Sequence, residues 1–257
     1  MQGLVALVSG AATGLGFACV KRFAEQGIKH VIACDLPTSN GEEAIAALNS
    51  SRVSFQSLDA TKEEEVQQVL NKIRLEHSKL NVLVNCAGIG VAFRSYNINK
   101  RSMHGMNEFQ NVLNFNVFGI FNLIRYACHL MADNQPDENG QRGVIINSSS
   151  MAAFDGQIGQ AAYAASAGAL TSMTLPLARD LSNMGVRVMT IAPGIFGNTK
   201  MVEPLPDKVK ILLGNMVPFP SRLGRPDEFA HLVQSIIENP YLNGEVIRLD
   251  GSVRMPP

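Results

Sequence analysis

The sequence predicts an α/β fold: a doubly wound parallel sheet of about seven strands with helices on both faces. Short Val- and Ile-rich runs alternate with longer segments of helical period along the whole chain. Those runs are apolar at nearly every position rather than at every second one, as strands buried on both faces are. A glycine-rich turn joins the first run to the first helical segment, and each later pair repeats the strand–helix order of a right-handed crossover unit.

The elements follow in order. Leu4–Ser9 (LVALVS) is the first strand, and Phe17–Glu25 has helical spacing. His30–Cys34 is the second strand and ends at Asp35; Gly41–Asn49 is a helix, and Val53–Ser57 the third strand. Glu63–Glu76 reads as a charged amphipathic helix whose leading acids suit the helix dipole and face solvent. Val82–Asn85 is the fourth strand, Phe109–Met131 one long helix, and Gly143–Ser149 the fifth strand. Tyr163–Leu181 is a helix, Val186–Ile191 the sixth strand, Pro226–Glu238 a helix and Glu245–Leu249 the seventh strand. No linker or repeat interrupts the series, so residues 1–257 are expected to form one domain. Three stretches break the rhythm: Arg94–Glu108, the turn-rich Asp133–Arg142, and Gly197–Pro220 with a helical piece at Pro206–Leu213. Residues 197–220 follow a strand at its carboxyl end, where such sheets bind ligands, and are expected to form a substrate lid.

Composition narrows the function classes. The 22 basic and 22 acidic residues cancel, so no global field draws the chain to nucleic acid or an anionic membrane. No apolar run approaches the ~18 residues of a membrane span. Cys19, Cys34, Cys86 and Cys128 lie far apart in apolar stretches and are expected to be reduced thiols. The five histidines form no pair at metal-ligand spacing, so no metal is expected. The first strand begins by Leu4, which leaves no room for a cleavable presequence.

Gly10, Gly14 and Gly16 stand in "VSGAATGLG" between the first strand and its helix. Gly10 permits the tight turn; Gly14 and Gly16 let backbone and helix approach closely. The helix start then offers free N–H groups and a positive dipole end to a pyrophosphate. The spacing alone is weak, but an acid at the end of the second strand strengthens it. That acid, Asp35, would accept hydrogen bonds from a ribose diol and repel a 2′-phosphate, which argues for NAD over NADP. Asp59 reads equally as a contact to an adenine amine and as the cap of a helix starting at Thr61. In "NCAG" (Asn85–Gly88), small residues allow a ring to approach the backbone.

The fifth strand ends in Ser148, Ser149 and Ser150, and Tyr163 follows at the start of a helix. A tyrosine is a poor proton donor near pH 7, because its ordinary pKa is about 10. A cation one helical turn on would lower it, and Ser150 would hydrogen-bond the reacting oxygen. Alone, the pair reads as a strand-end hydroxyl and a half-buried tyrosine. With "SGAATGLG", "NCAG", "NVFG" (Asn116–Gly119), "APG" (Ala192–Gly194), "RLGRPDEFA" and "NGEVIRLDG", however, the whole chain resembles the short-chain dehydrogenase/reductase family. Ser9 and Cys86 stand where that family usually has Thr and Asn. The resemblance implies a Rossmann-type fold and a hydride transfer between NAD and a secondary alcohol. It implies cofactor contacts from Thr13, Leu15, Asp35, Asp59, Ala60, Cys86, Tyr163 and Phe196, besides the glycine loop. It implies that Asn116 holds a proton-relaying water, Ser150 polarises the substrate oxygen and Tyr163 exchanges its proton.

A closer resemblance, carried by "CDLP", "GQRGVIIN", "QAAY", "RVMTIAPG" and "VPFPSRLG", is to members that oxidise 3-hydroxyacyl-CoA and some steroid alcohols. It implies a mitochondrial homotetramer; failing that, a cytoplasmic protein is expected. It also implies support of a tRNA methyltransferase within mitochondrial RNase P, a role that needs no turnover. One part is missing. Where the family has lysine, one turn after the tyrosine, this chain has Ala167. Alanine neither lowers the tyrosine pKa nor bonds the nicotinamide ribose, so turnover is expected to be impaired while NAD still binds. Two origins fit: removal by design, or a natural relative that kept binding and lost turnover. Lys100 and Lys200, the nearest lysines in sequence, lie in loops and are not obvious substitutes. Met103, Met106 and Met201 read equally as a flexible substrate mouth and as packing on the core. Lys208 and Lys210 read as a solvated helix face before a CoA-phosphate contact. A scaffold that binds NAD without turnover is the competing reading; an NADP reductase is disfavoured by Asp35.

Overall fold

The computed structural model describes residues 1–257 and contains a seven-stranded, wholly parallel sheet. Its strands are β1 (Val5–Ser9), β2 (His30–Asp35), β3 (Val53–Ser57), β4 (Val82–Asn85), β7 (Gly143–Ser148), β8 (Val186–Pro193) and β9 (Val246–Leu249). Their spatial order is β3-β2-β1-β4-β7-β8-β9. The chain winds outward from β1 to β3, returns, and winds the other way from β4. The strand order therefore reverses between β1 and β4, and a crevice opens at their carboxyl ends.

Alternation along the strands builds two cores. Leu7, Leu83 and Ile145 pack on one face with α3 (Glu63–His77), α5 (Ile120–Met131) and α6 (Ala161–Asp180). Ala6, Val8, Val84 and Ile146 pack on the other with α1 (Gly14–Glu25) and α8 (Pro226–Glu238). Both faces of the central strands are thus buried, which is why the sequence shows continuous apolar runs there. Arg187 on β8 is buried, and its guanidinium donates to Gln141, to Leu242 O at 2.7 Å and to Ile237 O at 3.1 Å. Burial lowers its pKa to about 10, and these bonds tie β8 to the chain that enters β9.

The segment expected as one helix over Phe109–Met131 is three pieces. α4 (Met106–Leu113) and α5 flank a π-helical turn at Asn114–Gly119. The polar stretch before it holds a small antiparallel hairpin, β5 (Tyr96–Asn97) with β6 (Ser102–Met103). A short α2 (Gly41–Ala46) precedes β3, and α7 (Asp207–Asn215) lies within the segment after β8.

At the opposite end of the sheet from the crevice, the rings of His30 and His77 stack with centroids 4.5 Å apart. Burial lowers both pKa values, and for His30 the neighbouring His77 lowers it further; Glu76 opposes the shift at each. Protonation is therefore easier in the unfolded chain, where a histidine titrates near about 6.5. Stability is intact above that pH and falls as pH drops below it. The melting temperature is expected to fall between pH 7.5 and 5.5, and His77→Gln to flatten that dependence.

Candidate active site

The crevice is a cleft of about 460 Å³, in the range of cofactor and small-molecule sites. Its floor is the turn after β1. Gly10 has φ +68°, and a Cβ there would lie 2.6 Å from the Ala87 nitrogen. A Cβ at Gly16 would lie 2.2 Å from the Gly10 carbonyl oxygen. Only glycines let α1 start this close to β1 and β4. Thr13 makes no side-chain cap at the start of α1, so the first-turn N–H groups stay available to a ligand in the cleft.

Asp35 reaches the same turn from β2. Its Oδ2 accepts the Ala12 N–H at 2.8 Å and its Oδ1 accepts the Leu36 N–H at 2.8 Å. These bonds fix the carboxylate at the cleft edge. Asp59 lines the cleft and also caps the next turn: its Oδ1 accepts from the Thr61 N–H at 3.0 Å and the Thr61 hydroxyl at 2.7 Å. The helix does not start at Thr61: α3 begins at Glu63 with Lys62 before it and no side-chain cap, so Asp59 closes the turn ahead of the helix rather than capping it. Cys86 lines the wall; it is a free thiol, as is buried Cys19 nearby, whose pKa burial pushes well up. Phe196 is buried, its ring edge-on to Phe229 at 6.4 Å.

The reacting end is built on β7 and α6. Ser150 caps a short 3₁₀ turn (Met151–Ala153), and its Oγ accepts the Ala152 N–H at 3.1 Å. That bond leaves the serine's own proton free. Tyr163 stands in the first turn of α6, within hydrogen-bonding reach of Ser150 and with its hydroxyl 3.9 Å from the Met201 sulfur. Desolvation raises its pKa, and the Ser150 hydrogen bond opposes this only in part; no cation contributes. Ala167 is buried one turn further along, at the cleft wall. Its carbonyl accepts from Ser149 Oγ at 2.8 Å.

Asn116 lies in the π-helical turn. Its Nδ2 donates to Ile89 O at 2.9 Å and Ser166 Oγ at 3.0 Å, and its Oδ1 accepts the Ile89 N–H at 2.8 Å. Ser166 Oγ donates in turn to Tyr163 O at 2.8 Å. The carboxamide thus ties the turn after β4 to the helix that carries the tyrosine.

Every site residue expected from sequence lines this cleft: Gly10, Thr13, Gly14, Leu15, Gly16, Asp35, Asp59, Ala60, Cys86, Asn116, Ser150, Tyr163 and Phe196. So do Met201 and Lys200, whereas Met103 and Met106 are exposed outside it. Lys208 and Lys210 do not line it, and Lys210 lies 3.8 Å from Asp207 on the surface of α7. Sequence reasoning missed Ser166, Asp155 and Met255. Arg248 bonds Asp155, Asp250 Oδ2 at 2.6 Å and Val253 O at 3.2 Å, which brings the C-terminal tail and Met255 to the cleft. "VIRLDG" carried the only signal of that network, an arginine inside an apolar strand.

The short chain dehydrogenase family profile matches residues 4–210. The chain belongs to that family. Among curated proteins of the family it is 54% identical to 3-hydroxyacyl-CoA dehydrogenase type-2 of Bos taurus, covering 100% of this chain and 97% of that protein. To the Drosophila melanogaster protein of the same name it is 51% identical, with 100% of both covered. The crystal structure of 3-hydroxyacyl-CoA dehydrogenase type-2 from Mycobacterium avium superposes with a TM-score of 0.92 at 36% identity, covering 99% of this chain and 97% of that one. As a short-chain dehydrogenase, the chain is an oxidoreductase, and its Tyr163 and Ser150 both line the switch-point cleft.

Proposed function

We propose that the chain binds NAD and interconverts secondary alcohols and ketones, with 3-hydroxyacyl-CoA and 3-ketoacyl-CoA as its principal pair and hydroxysteroids as further substrates. The observation that carries the choice of NAD is Asp35. Its carboxylate is anchored at the cleft edge beside the α1 start; no arginine lines the cleft, and the one lysine that does, Lys200, forms no ion pair with it. The glycine turn and the uncapped α1 start fit a pyrophosphate. The substrate class rests on the relatives' names and on the apolar Met151, Met201, Val202, Leu213 and Met255 at the reacting end, which suit a flexible acyl chain.

The bound nicotinamide supplies the hydride acceptor or donor. Ser150 holds the substrate oxygen through its free hydroxyl proton. Tyr163 gives its phenolic proton to that oxygen as the carbonyl is reduced, and takes it back as the alcohol is oxidised. Asn116 positions Tyr163 through Ser166 and holds the turn at Ile89, and a relaying water beside it would reprotonate the tyrosine. Residues 197–220 close over the substrate as a lid on the single 1–257 domain. Phe118 and Phe121, exposed on and just after the π-helical turn, with Leu175 on α6, suit self-association; the homotetramer is carried over from the resemblance. The mitochondrial compartment is carried over from the resemblance.

The test is cofactor choice. NADH should bind far more tightly than NADPH, measured by the nicotinamide fluorescence. Asp35→Asn should weaken NADH by about 10- to 100-fold, as loss of charged hydrogen bonds to a diol does, and narrow the gap to NADPH. Equal binding of the two cofactors by the unmodified chain would sink the NAD assignment.

A second reading has one specific observation behind it: Tyr163 lacks any cation to lower its pKa. On that reading the chain is an NAD-binding scaffold, such as the support subunit of a mitochondrial tRNA methyltransferase and RNase P. Methyltransferase activity reconstituted with this chain would then be the same for Ala167→Lys.

A further inference from the structure

The cleft is lined by three acids, Asp35, Asp59 and Asp155, and by one basic side chain, Lys200. Asp155 is paired with Arg248, while Asp35 and Asp59 spend their carboxylates on backbone and Thr61 bonds. Lys200 has neither a carboxylate within ion-pair distance nor any hydrogen-bond partner and is exposed to the cleft. Its position is set by its neighbours. A Cβ at Gly14 would lie 3.4 Å from Thr199 Cγ2 and 3.6 Å from Asn198 O, so this chain segment passes over the start of α1. On the other side, Met201 meets the Tyr163 hydroxyl and approaches Gly90. Lys200 therefore stands between the α1 N-terminus and the reacting end, where the phosphate nearer the nicotinamide must pass.

We infer that Lys200 is the cofactor's phosphate ligand: its ammonium pairs with the pyrophosphate bound at the start of α1. It thereby supplies the cleft with the cofactor-binding charge that Ala167 lacks. The role is divided. Lys200 holds the dinucleotide but leaves the tyrosine without a cation, since no positive charge contributes at Tyr163. A pyrophosphate carries two negative charges, and α1 alone offers the equivalent of about half a positive one. A mobile, unpaired lysine on the lid-side wall is suited to the rest, since it can close on the ligand as it arrives.

This rests on the NAD reading, and the experiment separates the two. NADH, ADP-ribose and adenosine are titrated into the unmodified chain, Lys200→Met and Lys200→Arg, NADH by its fluorescence and the others by competition, at low and high salt. Lys200→Met should weaken NADH and ADP-ribose by about 5- to 30-fold, the range of a solvent-facing charge-assisted hydrogen bond. It should leave adenosine unchanged and reduce the salt dependence; Lys200→Arg should retain most of the affinity. The unliganded melting temperature should be the same for all three. If NADH and ADP-ribose bind Lys200→Met as tightly as the unmodified chain, or if adenosine weakens in parallel, the assignment of Lys200 is overturned while the NAD reading stands. If the unmodified chain does not bind NADH, both are overturned.

Discussion

Ala167→Lys is expected to raise turnover of acetoacetyl-CoA with NADH by about 10²- to 10⁴-fold, the usual reach of a tuned acid–base group. Tyr163 is held above its ordinary pKa by desolvation, and the Ser150 hydrogen bond alone opposes this. A lysine one turn along α6 would place an ammonium on the same helix face and stabilise the phenolate. Reduction and oxidation should gain together, because an enzyme residue cannot move the overall equilibrium. The pH profile carries the more specific signature. Oxidation requires phenolate, so in the present chain its rate should still be climbing above the ordinary tyrosine range; in Ala167→Lys the climb should begin at lower pH. Ala167→Met, of similar length and no charge, should gain nothing. The Ala167 carbonyl bond to Ser149 is a backbone bond, but the Ala167 side chain is buried, so the melting temperature of each variant is measured beside its turnover. Equal turnover by the unmodified chain and the lysine variant would show that another group supplies the charge.

The second large effect is expected at Gly16. It lies inside α1 at a φ open to any residue, and alanine would be the better helix former by about 1 kcal/mol. Its Cβ would nevertheless fall 2.2 Å from the Gly10 carbonyl oxygen, a backbone atom that cannot swing aside. Overpacking of this kind costs about 1–3 kcal/mol. Gly16→Ala should therefore lower the melting temperature by about 2–8 °C and displace the start of α1 from the cleft floor. NADH affinity should fall at least about tenfold, since the first-turn N–H groups would no longer converge on one phosphate. An unchanged dissociation constant for NADH would mean that the loop relaxes without moving the site.

The sheet was legible from the chain because the buried strands leave no alternative. Runs such as Val82–Asn85 and Gly143–Ser148 are too short and too apolar for anything but central parallel strands, and Gly10 and Asp35 mark the turns that a switch point requires. The cleft walls followed from those turns. What escaped has a common physical reason. Asn114–Gly119 has the composition of an ordinary helix, and the shift to a π-helical turn leaves no trace in apolar spacing. The hairpin Tyr96–Asn97 with Ser102–Met103 is too short for a period to show. Lys200 is a loop lysine, as its sequence context indicates, but its place on the cleft wall depends on how Thr199 packs over Gly14, a contact between segments far apart in the chain. Met255 reaches the cleft only through the Arg248 network, which no local pattern announces.

The π-helical turn also bears on how this gene can tolerate loss of a codon. A π turn is in effect an α-helix carrying one surplus residue, with the helix on either side left in phase. Removing one residue from Asn114–Gly119 would restore a regular helix and leave the buried faces of α4 and α5, Val112 on one side and Leu123 and Ile124 on the other, still turned to the core. The fold would survive the deletion. The carboxamide of Asn116 would not survive it in place, since each residue of a helix turns by about 100°, and its bonds to Ile89 and Ser166 depend on that direction. In-frame deletion, usually the harshest lesion in a helix, would here act as a selective change at the cleft wall that Asn116 holds.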